Sequence, residues 1–147
     1  MPRSPSERVK EISRVLRSAP VPPHPASGMS SQTRPPITAH ALDTARGIPA
    51  FGLPLKLERL QQGHEWIHLG RTTTNEDGRA PDLIESSSAI STGTYRVIFD
   101  TAHYFQQMGE TFFYPEVTIM FYVEDASQHY HIPLLLSPFG YTTYRGS

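Results

Sequence analysis

At 147 residues with 37% hydrophobic content, the chain has the length and apolar material for one ordinary domain with a single core. A formal net charge of −1 and a pI near 6.6 give no global attraction to nucleic acid or to an acidic membrane surface. The absence of cysteine excludes disulfides, thiolate nucleophiles and zinc–thiolate sites, and no apolar run reaches the roughly 18 residues of a membrane span.

The charge is unevenly spread, with six Lys/Arg against two Asp/Glu up to Pro36 and seven against twelve from Ile37 onward. The first 36 residues also hold eight of the fourteen prolines and seven serines. Such a composition buries too little apolar surface to offset chain entropy. Residues 1–36 are therefore expected to be a disordered basic leader, ahead of one domain over residues 37–147. Within the leader, Ser4, Pro5 and Glu7 form a helix-start signature, and Val9, Ile12, Val15 and Leu16 recur at helical spacing. A short basic amphipathic helix is expected there, closed off by Pro20, Pro22 and Pro23. A solvated tail, an extension ahead of a second start at Met29 and a targeting segment all remain open. The N-terminus lacks the apolar core of a secretory signal, so the chain reads as soluble and not secreted.

Residues 37–43 make a short strand, followed by a turn signal at Arg46-Gly47-Ile48-Pro49. Leu53, Leu55 and Leu57 alternate with Pro54, Lys56 and Glu58, the period of a half-buried strand. Gln61-Gln62-Gly63-His64 reads as a hairpin loop leading into a strand over residues 64–74, and Asn75-Glu76-Asp77-Gly78 as a tight turn. Residues 94–100 alternate aromatic and β-branched side chains and form the clearest strand. Tyr104, Phe105 and Met108 give residues 101–110 a helical spacing, ended by Gly109. Residues 117–123 are apolar on both faces, as in a strand covered by the core on one side and by a partner on the other. Strands over 129–137 and 141–145 complete the set. Seven or eight short strands with one small helix predict an all-β, two-sheet sandwich built from hairpins or Greek-key links. Its edge strands favour self-association.

Seven histidines are the main chemical resource, because imidazole alone titrates near neutrality without help. His24 lies in the leader. His64 and His68 flank Trp66 on the same strand and are expected to face solvent, as is His103 on the helix. His40 stands between Ala39 and Ala41 as the one titratable group projecting from its strand; a satisfied structural histidine is the plain alternative. His129 and His131 share a face with Tyr130 turned away. Two imidazoles can bind metal, but zinc normally takes a third protein ligand and none stands at a recognisable spacing. Arg79, directly after the turn, is by pattern a solvent-facing arginine. Nucleophile-elbow, Walker and dinucleotide fingerprints are absent.

Residues 37–50, residues 74–79, Phe113-Tyr114-Pro115, residues 129–137 and Tyr144-Arg145-Gly146-Ser147 together resemble the transthyretin-related 5-hydroxyisourate hydrolases. The resemblance spans residues 37–147, and its most specific part is Tyr144-Arg145-Gly146-Ser147. It implies a transthyretin-like sandwich assembled as a homotetramer, with active sites in a central channel between subunits. His40, Arg79 and His131 match the catalytic positions, and His40, Arg79, Tyr144 and Ser147 those that bind substrate. Transthyretins, the hormone-carrying branch, lack those histidines, that arginine and the Tyr-Arg-Gly-Ser ending.

The implied reaction hydrolyses 5-hydroxyisourate to 2-oxo-4-hydroxy-4-carboxy-5-ureidoimidazoline in urate breakdown, with no metal or organic cofactor. Ring opening needs a base for water, compensation for an oxyanion and a proton for the departing nitrogen. His40 and His131 share the proton chemistry in an order that pattern leaves open, and Arg79 suits the anion. A transthyretin-like carrier of a small ligand such as thyroid hormone and a sandwich whose histidines hold metal are the alternatives; nucleic acid and membranes are not expected partners. Relatives in animals are often peroxisomal, yet Arg8-Val9 and Arg14-Val15 are followed by Val15 and Val21 where the N-terminal peroxisomal signal needs His or Gln. The terminal Arg145-Gly146-Ser147 is no Ser-Lys-Leu address. Peroxisomal location is thus expected by family, with the cytoplasm as alternative.

Overall fold

The computed structural model describes residues 34–147, so the amphipathic helix expected after Ser4 lies outside the described residues. From there the chain forms the expected two-sheet sandwich with one short helix. The first sheet holds β1 (Ile37–Asp43), β2 (Ile48–Pro49), β5 (Arg79–Ala80), β8 (Tyr130–Ser137) and β9 (Gly140–Thr143), in the order β2-β1-β8-β9 with β5 also on β1. The second holds β3 (Pro54–Leu60), β4 (Trp66–Thr73), β6 (Gly93–Phe99) and β7 (Val117–Val123), in the order β4-β3-β6-β7.

The alternation read from the sequence is the alternation of burial. Along β1, Ile37, Ala39 and Ala41 are buried, while Thr38, His40 and Leu42 are only half covered. The inward residues meet Leu57, Val97, Phe99, Val117, Ile132, Leu134 and Leu136 in one core between the sheets. Each fully buried Leu or Phe contributes on the order of 1.5–3 kcal/mol, so the inner faces carry the stability.

Asp43, at the inward end of β1, is a buried charge that the helix satisfies. Tyr104 Oη donates to Asp43 Oδ2 at 2.8 Å, and the Arg46 amide donates to Oδ1 at 3.0 Å. Burial and this carboxylate push the Tyr104 hydroxyl up, so it stays a donor. The helix, α1 (Thr101–Gln107), starts on an Asp100 cap whose side chain accepts from the His103 amide. It ends at Gln107, three residues short of the expected range, and Gly109 closes it: at φ +65 its own N–H reaches the Gln106 carbonyl and that of Glu110 the Phe105 carbonyl.

Three features depart from the sequence reading. His64 is in the hairpin turn at φ +68, and β4 begins only at Trp66, so His64 and His68 do not share a strand. The turn signal at residues 46–49 contains a two-residue strand, β2, and the turn at residues 75–78 leads directly into another, β5; both pair with β1. Most consequential, the sandwich is not hairpins and Greek-key links throughout: β1 and β8 form a parallel pair, in register from Ile37 against Tyr130 to Asp43 against Leu136. Parallel neighbours need a long crossover, here everything between them, and no local pattern announces such a pairing. On β7, at the open end of the second sheet, Val117 and Val123 are buried, whereas Met120 and Tyr122 are both 60% exposed.

Candidate active site

The outward face of the β1–β8 pair gathers residues from four parts of the chain. Alternation puts Thr38 and His40 on that face of β1. Parallel register sets His131 opposite Thr38, and the antiparallel bridge to β5 sets Arg79 opposite His40. The rings of His40 and His131 then lie with centroids 6.3 Å apart. His40, Arg79 and His131, far apart in the sequence, are thus brought together on one sheet face.

Each side chain is placed by identifiable partners. The Asn75 side chain accepts the amides of Asp77 and Arg79, both at 3.0 Å, which shapes the turn delivering Arg79 to the sheet edge. Gly78 in that turn has φ +73, and a side chain there would run into the Ala41 carbonyl. The same turn presents the Asp77 carbonyl to His40 Nε2 at 2.9 Å. A carbonyl only accepts, so Nε2 carries a hydrogen, and the tautomer this selects for the uncharged ring has its lone pair on Nδ1. His131 Nδ1 meets the Thr38 hydroxyl at 2.8 Å, and the same hydroxyl meets His129 Nε2 at 3.0 Å. His129 and His131 share a face as expected, but the Thr38 hydroxyl joins them, and among the described residues no three His, Asp or Glu side chains converge as a metal cage.

The tail folds back onto His131. The Gly146 amide donates to the His131 carbonyl at 3.0 Å, and a Cβ at position 146 would come within 2.5 Å of the imidazole. Only glycine lets the backbone lie flat on that ring. Arg145 turns away, donating to Gln128 Oε1 at 2.8 Å and stacking over Tyr130 at 4.8 Å, which pins the tail. Tyr144 and Ser147 flank this anchor; both are exposed, and neither side chain has a hydrogen-bond partner among the described residues.

The electrostatics are one-sided. Burial, then the charges of Arg79, His40, His129 and Arg34, push His131 down to about 4. Burial also lowers His129, with Arg34 acting in the same sense and the Pro35 carbonyl against it. No carboxylate pairs with Arg79 among the described residues. The arrangement offers neutral imidazoles as proton acceptors beside an unneutralised guanidinium, which suits an anion that develops further negative charge. A groove lined by Lys56, His68, Arg71 and Glu116 lies on the other sheet and shares no residue with it.

Of the residues singled out from the sequence, His40, Arg79 and His131 form the group, while Tyr144 and Ser147 stand beside it on the tail. Sequence reasoning did not single out Thr38, although it shares the period of His40, nor the Asp77 carbonyl, which no side-chain pattern reveals.

Residues 37–146 match the model of the HIUase/Transthyretin family. The chain is 49% identical over 113 residues to the 5-hydroxyisourate hydrolase of Mus musculus, covering 76% of this chain and 95% of the mouse protein. It is 45% identical over 116 residues to 5-hydroxyisourate hydrolase 2 of Rhizobium meliloti, covering 76% of this chain and 95% of that one. Among solved structures, 5-hydroxyisourate hydrolase of Klebsiella pneumoniae superposes with a TM-score of 0.64 at 32% identity, over 76% of this chain and 98% of that one. Sea bream transthyretin in complex with thyroxine gives 0.71 at 32%, over 76% and 94%. The backbone is thus common to both branches, whereas the curated relatives at 40–49% identity include hydrolases from animals and bacteria. The chain belongs to the HIUase/Transthyretin family.

Proposed function

We propose that this chain is a hydrolase that opens the ring of 5-hydroxyisourate, giving 2-oxo-4-hydroxy-4-carboxy-5-ureidoimidazoline in urate degradation. The observation that carries the reading is the placement of two imidazoles and a guanidinium on one sheet face, with the rings 6.3 Å apart. Arg79 binds the urate-like anion and receives the negative charge that develops on the carbonyl oxygen. A water held between the rings gives one hydrogen to His40 Nδ1 and the other to His131. As its oxygen attacks the acyl carbon, His131 takes the proton; as the C–N bond breaks, the imidazolium returns that proton to the departing nitrogen. Tyr144 and Ser147 hold the substrate from the tail.

The test is spectrophotometric, following the decay of 5-hydroxyisourate made in situ from urate. Decay at the background rate, with tight binding of thyroid hormone, would establish the carrier function instead.

The protein acts as a homotetramer in this reading. Two features support it: in a single chain the His40–Arg79–His131 face is open, and the outer face of β7, the strand at the end of its sheet, exposes Met120 and Tyr122. Light scattering should give about four times the 16.5 kDa chain mass; a monomer at assay concentration would contradict it. The enzyme works in the peroxisome in this reading, the location expected from the family resemblance. Residues 1–36 fused to a fluorescent reporter should give puncta, and a diffuse signal would deny that segment an autonomous address.

A further inference from the structure

Building on the hydrolase reading above, we propose that Thr38 and His129 are positioning residues that fix the tautomer of His131, baring its Nε2 as the atom that takes the proton from water. The chain of hydrogen bonds begins at an atom with no choice. The Pro35 carbonyl only accepts, so His129 Nδ1, 2.6 Å away, carries a hydrogen. His129 is neutral, since burial and Arg34 both hold its pKa below the ordinary 6.5. A neutral ring with its hydrogen on Nδ1 has a bare Nε2, and that lone pair faces the Thr38 hydroxyl at 3.0 Å. The hydroxyl has a single hydrogen, and this contact takes it. Its oxygen is left to accept from His131 Nδ1 at 2.8 Å, which puts the His131 hydrogen on Nδ1 and the lone pair on Nε2.

The fold sets every member of this relay. Parallel register puts Thr38 opposite His131, alternation puts His129 on the same face, and the Pro36 carbonyl accepts the Tyr130 amide at 2.9 Å, holding the Pro35 carbonyl beside His129. The charged or titratable groups that depress His131 are Arg79, His40, His129 and Arg34, all cationic when charged, so the ring is neutral and its tautomer is the variable left to set. With the relay reversed, Thr38 would donate to Nδ1, Nε2 would hold the hydrogen, and the ring could not act as the base from that atom.

The experiment reads the ring nitrogens of the full chain, labelled with 15N-histidine, by long-range proton–nitrogen correlation at neutral pH. The wild type should show both His129 and His131 protonated on Nδ1. Thr38→Val should give a His131 mixture or the Nε2–H form, with kcat lower by about 10- to 100-fold and KM little changed, the loss typical of an orienting partner. Thr38→Ser, which keeps the hydroxyl, should restore both. A wild-type His131 with its hydrogen on Nε2 overturns the relay, and this holds even if Thr38→Val fails to fold; so does a Thr38→Val enzyme with wild-type kcat. A chain with the Nδ1–H spectrum but no hydrolysis overturns the hydrolase reading alone, whereas hydrolysis with the Nε2–H form overturns the relay alone.

Discussion

The two faces of the β1–β8 pair differ in what determines them. On the inner face Ile37, Ala39, Ala41, Ile132 and Leu134 are buried apolar residues, each replaceable by shape and volume alone. On the outer face Thr38, His40, His129 and His131 depend on which residue stands opposite which. One strand pair thus serves stability on one side and chemistry on the other. A one-residue slip would exchange the two, which is why register carries the function here.

Breaking the inner face should have the largest effect on folding. Leu134, fully buried, should cost about 2–5 kcal/mol when changed to alanine. Thermal unfolding should show that loss, while kcat measured below the lowered Tm stays near wild type. The outer face should behave in the opposite way. Arg79→Met should lower kcat/KM about 10²- to 10³-fold, as loss of one oxyanion partner does elsewhere, with Tm little changed.

Gly146→Ala should come next, since a methyl group at that position would collide with the His131 ring and displace it or the tail. A loss of about tenfold in kcat with Tm close to wild type is expected, because an orienting group and not the core is disturbed.

The smallest effect is one of pH. His131 sits at about 4 when folded against 6.5 ordinarily, so between those values the unfolded chain binds the extra proton. Stability from this group is therefore full above 6.5 and falls as the pH drops toward 4. Melting curves at fixed protein concentration should show that decline, and His131→Asn should lessen it. The acid limb of kcat/KM should likewise lie nearer 4 than 6.5.

Much of the sandwich was legible because period-two alternation is a local property. Leu53, Leu55 and Leu57, the Asp77-Gly78 turn and the Gly109 helix stop are each set by neighbours a few residues away. The site was legible only in part. His40 was conspicuous between two alanines, but Arg79 looked like an ordinary surface arginine until β5 placed it opposite His40. Its weight came from the family resemblance, not from its pattern. Thr38 was invisible as a partner because its contact with His131 spans 93 positions and depends on a parallel register that no turn encodes. The shared face of His129 and His131 is legible, and so is the lack of a third metal ligand, but the hydroxyl that joins the two rings comes from another strand.

Hydrolysis at the outer face depends most directly on His131. Turnover of freshly generated 5-hydroxyisourate by His131→Asn, measured beside the wild type and with Tm recorded for both, should fall by about 10²- to 10⁴-fold while the fold persists. Wild-type turnover by that variant would contradict the assignment of the outer face as the hydrolytic site.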